Sequence, residues 1–160
     1  MKNKLGISNF QMDTIEKEIV QKKLEVLDEW FTFNSSKLDF DYLKKLHEFL
    51  FGDFYYEEDL DTRPMDEQEE QFVNNYLDKI VNICIKTPDD IDSILKIITE
   101  IWSFQPFVVG NTRTMLAYLK VINCCFLLGL NINTNINIES NPRIFRKENF
   151  VNQERLTKAK

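Results

Sequence analysis

The chain is short of the residues from which many active sites and metal centres are built. Its 160 residues include one histidine, His47, which excludes zinc sites made from two histidines. The three cysteines, Cys84, Cys124 and Cys125, are odd in number, and two stand side by side on an apolar stretch. This is not a disulfide framework, and buried thiols in a reducing compartment are expected. Positive charge is also scarce: 20 Lys and Arg against 26 Asp and Glu leave a formal net charge of −6. A general nucleic-acid binder needs a basic face, so the balance argues against that class. It would suit a basic partner, although its commoner meaning is solubility. Long hydrophobic runs are missing. The most apolar segment, 115–130, is interrupted by Lys120 and Asn123 and is short for a membrane span, so a core helix is expected. The N-terminus carries neither the apolar core nor the small-residue cleavage site of a signal peptide, which makes a cytoplasmic location the expectation.

What is present reads as a succession of helices. A content of 43% hydrophobic and 29% charged residues is a soluble globular balance, and 160 residues suit one domain with a real core. Asp13 and Glu16 form a capping-box pattern, followed by Ile15, Ile19, Leu24, Leu27 and Phe31 at helical spacing. A second helix is predicted from about Asp41, carrying Leu43, Leu46 and Leu50 and stopping at Gly52. Residues 56–71 hold eight acidic side chains, one Arg and Pro64, a pattern for an exposed loop and an acidic helix start. Phe72, Tyr76, Ile80 and Cys84 line a third helix. Thr87-Pro88-Asp89-Asp90 predicts another start, with Thr87 as cap, and Ile91, Ile94, Leu95, Ile98 and Trp102 form the apolar face behind it. A last helix from about Thr112 to Leu128, ended by Gly129, is apolar almost all round and is expected to be central. Residues 131–141 suggest a loop or short extended piece, and Asn141-Pro142 could open a final basic helix. The class is all-α, with at most a short hairpin in the acidic segment.

Between the last two apolar helices stands Gln105-Pro106-Phe107-Val108-Val109-Gly110-Asn111-Thr112-Arg113. Gly110 permits close backbone approach, Asn111 and Arg113 can donate to an anion, and Thr112 leads into a helix whose first N–H groups are an anion site. The string resembles the Fic family signature, His-Pro-Phe-x-(Asp/Glu)-Gly-Asn-x-Arg-x-x-Arg, of enzymes that transfer AMP from ATP to protein hydroxyls. The upstream Leu43–Tyr55 stretch is similar to that family's Leu-His-x-x-Leu-Phe-x-x-x-Tyr segment, and Leu5-Gly6-Ile7 before a charged helix also resembles many members. The resemblance covers most of residues 5–130 and implies a Fic-type helical domain, with 131–160 a C-terminal extension. A motif loop between two central helices and a target-docking flap are implied with it.

Three positions depart from the signature. The family's general base is His; here it is Gln105, which can orient a hydroxyl but cannot take its proton. Val109 stands at the acidic position that holds magnesium in the family and has no side-chain oxygen to offer. Leu116 replaces the arginine that meets the terminal phosphate. His47 is the one histidine that could substitute as a base, and the corresponding family histidine is usually structural. Gly110, Asn111, Thr112 and Arg113 remain as the nucleotide- or phosphate-binding set. They either cradle an inner phosphate or serve only to build the loop, with Arg113 paired to an internal carboxylate. The flap has changed as well: Tyr56-Glu57-Glu58-Asp59-Leu60-Asp61-Thr62-Arg63 stands where many members carry Asp-Trp-Ala-Gly-x-x-Arg. No segment matches the family's inhibitory helix.

The resemblance therefore implies a catalytically impaired Fic-like protein that binds ATP or another nucleotide, or a partner protein. That partner could be a target or an antitoxin-like protein. The alternative is a slow surviving adenylyl or phosphate-group transferase, and a third reading is an unrelated helical interaction domain. Magnesium has no evident ligand at Val109.

Overall fold

In the computed structural model, which describes residues 3–27, 37–55, 62–132 and 145–150, four helices begin on a side-chain cap. They are α1 (Asn9–Glu25), α2 (Phe40–Phe51), α3 (Glu67–Lys86) and α4 (Ile91–Phe104), capped by Ser8, Asp39, Asp66 and Asp90. Each cap oxygen accepts from a backbone N–H of the first turn, satisfying donors the helix itself leaves unpaired. The fifth, α5 (Asn111–Phe126), starts at Gly110 without a side-chain cap. A 3-10 turn at Lys147–Asn149 completes the order. The architecture is all-α, and the described residues contain two isolated bridges, Asn3 with Tyr55 and Thr62 with Phe107, and no strand. Pro64 explains in part why pairing at Thr62 goes no further, because it has no N–H to offer a ladder. The expected hairpin and most of the acidic flap lie outside the described residues, as do Phe31 and residues 133–144.

The core is one cluster with α5 at its centre, as its all-round apolar sequence predicts. Nine of its positions are buried, and it packs against α2, α3 and α4. Ile91, Ile94, Leu95 and Ile98 present the expected face of α4, while Trp102 is partly buried. Phe145 and Phe150, within the expected C-terminal extension, are buried in the same cluster. No helix among the described residues is long and apolar enough to cross a membrane.

Several local expectations are corrected. The capping box of α1 is Ser8 with Gln11, so Asp13 lies inside the helix rather than at its start. Two residue pairs at the same spacing compete there, and only Ser8 has the extended backbone a cap requires. Leu24 and Leu27 of the expected apolar face are buried, but Ile19 is 36% exposed, and Met12 and Val20 are buried beside them instead. On α3 the buried line is Val73, Leu77, Ile80 and Cys84; Phe72 sits at the surface, edge-on to Tyr76 and tilted against Phe104. Helical spacing admits both lines, and the narrower aliphatic side chains occupy the close interface. Thr87 caps the end of α3, its N–H donating to Ile83 O at 2.7 Å, and Asp90 starts α4. Of the thiols only Cys84 is buried, which pushes its pKa up to about 11; Cys124 and Cys125 are exposed.

Helix C-termini are satisfied by cations from far along the chain. Lys120 donates to the carbonyls of Leu24 and Glu25 at the end of α1. Lys23 reaches Phe49 O at 2.8 Å and Lys4 reaches Gly52 O at 3.0 Å at the end of α2. Arg63 does the same for α4, whose last turn, like that of α2, has no basic residue of its own. Each cation meets unpaired carbonyls at the negative end of a helix dipole. The end of α5 is different: Leu127 adopts φ 53°, a left-handed conformation, while 87% exposed. Leu127→Gly is expected to raise the unfolding free energy by up to about 1 kcal/mol, because glycine removes the left-handed penalty at little cost in packing. A urea titration checks this, and a lower midpoint would contradict it.

Candidate functional site

The loop between α4 and α5 is closed by its own side chains. Gln105 takes φ 55° and ψ 64°, so α4 turns sharply at its end. Its backbone N–H and its side-chain Nε2 both donate to Trp102 O, at 3.1 and 2.7 Å. Its Oε1 accepts from Asn111 Nδ2 at 3.1 Å. Asn111 also spans Phe107, accepting from its N–H and donating to its carbonyl, both at 2.9 Å. The amide of Asn111 is thus committed to holding the loop, and 6% of the residue is exposed. Thr112 Oγ1 accepts from Trp102 Nε1 at 2.8 Å, tying the start of α5 to α4.

His47 supports the loop from behind. It is fully buried, lies parallel to the Phe107 ring with centroids 4.1 Å apart, and donates from Nε2 to Val109 O at 2.7 Å. A carbonyl can only accept, so Nε2 carries a proton in this arrangement. Its structural role is explicit, and the geometry gives a substrate hydroxyl no route to it. Leu116 is also buried, in the core rather than at the loop surface.

Arg113 is paired to an internal carboxylate. Its Nη1 donates to Glu16 Oε1 at 3.2 Å, and the two side chains are 13% and 19% exposed. The Tyr55 hydroxyl donates to the other oxygen of Glu16. Burial, then the hydrogen bond and charge of Glu16, push the Tyr55 pKa well above the usual phenol range. Beside this cluster is a cavity of about 220 Å³ lined by Asn9, Met12, Asp13, Glu16, Tyr55 and Val109. Two carboxylates on that wall, with Arg113 already neutralised, disfavour a polyphosphate there. Val109 lines the wall and has no side-chain oxygen to offer a metal. Among the described residues no group of three His, Cys, Asp or Glu could hold a metal ion.

Arg113→Ala is expected to cost about 2–4 kcal/mol, because Glu16 is left largely buried without its cation. The Glu16→Leu, Arg113→Met pair should recover at least half of that loss. Urea denaturation of the unaltered protein, Arg113→Ala, the single variants Glu16→Leu and Arg113→Met, and their pair checks it, and additive losses would refute a structural ion pair.

The sequence singled out Arg113 but could not name its partner, since Glu16 is 97 residues away. Arg63 enters the sequence reading only as the end of the altered flap, yet it caps α4 and its N–H donates to Pro106 O at 3.0 Å. No local pattern marks either role. The structure joins Gln105 to Asn111 across the loop, turns Arg113 of α5 to Glu16, and places Leu116 apart, in the core. Compared with protein-family models the chain matches none, and no curated protein matches it.

Proposed function

We propose that this is a Fic-type helical protein that has lost AMP transfer and acts by binding a partner protein through the region of the motif loop. The observation that carries the reading is that no histidine serves as a base at the motif loop. Gln105 has its amide bonded at both ends, and the only histidine is buried behind the loop with Nε2 donating to a carbonyl. Loss of a positioned base costs about 10²–10⁴-fold in rate. The paired state of Arg113 and the acidic wall beside it favour a protein over a polyphosphate as the occupant.

Nucleotide binding is the second reading, favoured by the start of α5. Among the described α-helices it alone lacks a side-chain cap, and the first N–H groups of a helix are donors suited to an anion.

Purified protein incubated with labelled ATP, magnesium and a cell lysate is expected to transfer no label above a blank. A Gln105→His, Val109→Glu variant run beside it restores the base and an acidic ligand. Robust transfer that depends on the unaltered protein would overturn the proposal in favour of a surviving transferase. Calorimetry with ATP, ADP and AMP addresses the second reading, and heat that saturates with one of them would support it.

A further inference from the structure

Residues 62–65, ahead of the Asp66 cap of α3, cross the outer side of the motif loop as a strap, and one side chain makes most of the attachments to the loop. The Arg63 guanidinium donates from Nε to Gln105 O at 3.0 Å and from Nη2 to Phe104 O at 3.3 Å. It also lies 4.3 Å above the Phe104 ring. Nη1 reaches Glu69, in the first turn of α3, at 3.0 Å. The Arg63 N–H bonds Pro106 O, and Thr62 bridges Phe107.

The inner side of the loop is held by different means. Phe107 is buried against His47 and stapled by Asn111, and Val109 accepts from His47. The strap has no buried residue, and only Met65 packs in part on the core. Its Arg63–Glu69 pair is 31% and 37% exposed, which leaves it open to screening by salt.

We infer that the strap is a latch that lifts from the loop as a unit while the loop, pinned from inside, keeps its shape. Segments held by exposed polar contacts open locally at free energies far below that of global unfolding. Lifting uncovers the carbonyls of Phe104, Gln105 and Pro106 together with the Phe104 ring, an acceptor surface flanking position 105. Arg63 is the positioning residue that sets the closed state. The inference concerns the strap alone and holds whatever the loop binds.

Amide hydrogen exchange on the full chain, read residue by residue, tests it with Arg63→Ala and Arg63→Lys. In the alanine variant the amide at position 63 should exchange at least about tenfold faster, the loss expected from a charge-assisted hydrogen bond. The Phe107 N–H, held by Asn111, and the Thr114 N–H, held by Gly110 O, should change by less than about twofold. Lysine keeps the charge without the planar fork and should fall between the two. In the unaltered protein, raising salt from about 0.05 to about 0.5 M should accelerate position 63 in the same direction. An unchanged rate at position 63 overturns the inference. Equal acceleration at 63 and Phe107 does so too, because strap and loop would then open as one unit. Should the alanine variant not fold, the lysine variant and the salt series decide by the same criteria.

Discussion

Leu116→Arg is expected to destabilise the protein by about 4 kcal/mol or more, enough to abolish the folded state of a marginally stable domain. Leu116 has no exposed surface and lies on α5 where that helix is buried. A guanidinium there would be desolvated without a carboxylate to receive it, and it is bulkier than the leucine it replaces. Leu116→Met, which nearly conserves volume, should cost less than about 1.5 kcal/mol. Circular dichroism through a urea series compares the two. An arginine variant with an unchanged midpoint would mean that position 116 reaches solvent, contrary to its burial. The expectation bears on the resemblance: position 116, buried in the core, cannot accept the outer arginine of the Fic signature by a single change.

Gly110→Ala should cost about 2–4 kcal/mol, for two independent reasons. Gly110 has φ 78°, where a side chain is strained whatever the space around it. An added Cβ would also stand 2.4 Å from Phe51 Cε2 and 2.6 Å from its Cζ. Phe51 cannot easily retreat, being fully buried between the rings of His47 and Tyr55. A shift there would move His47 and, through it, Phe107 and Val109. Combining Gly110→Ala with Phe51→Leu should therefore relieve part of the clash, with a coupling of about 1 kcal/mol or more in a double-mutant cycle. Strict additivity would show that the ring and the glycine do not meet.

These two positions show what could be read from the chain. Gly110 stands out because a glycine before a helix start signals close approach, and the structure supplies Phe51 as the group approached. The apolar face of α4 was legible because Ile91, Ile94, Leu95 and Ile98 repeat at one helical face with few competitors. That of α3 was not, because Phe72 and Tyr76 compete with Val73 and Leu77 at the same spacing, and only packing decides between the lines. The start of α1 was misplaced by one local pattern imitating another.

The site divides in the same way. That Gln105 offers no base, Val109 no oxygen ligand and Leu116 no cation follows from side-chain chemistry and needs no coordinates. The all-α class and the central place of α5 follow from periodicity, which is a local property of the chain. The tertiary structure alone decided that Glu16 takes the charge of Arg113, that His47 lies behind the loop, and that Arg63, Lys23, Lys4 and Lys120 close helix ends. The physical reason is that an ion pair or a cap depends on which distant segments meet, and spacing along the chain carries no record of that.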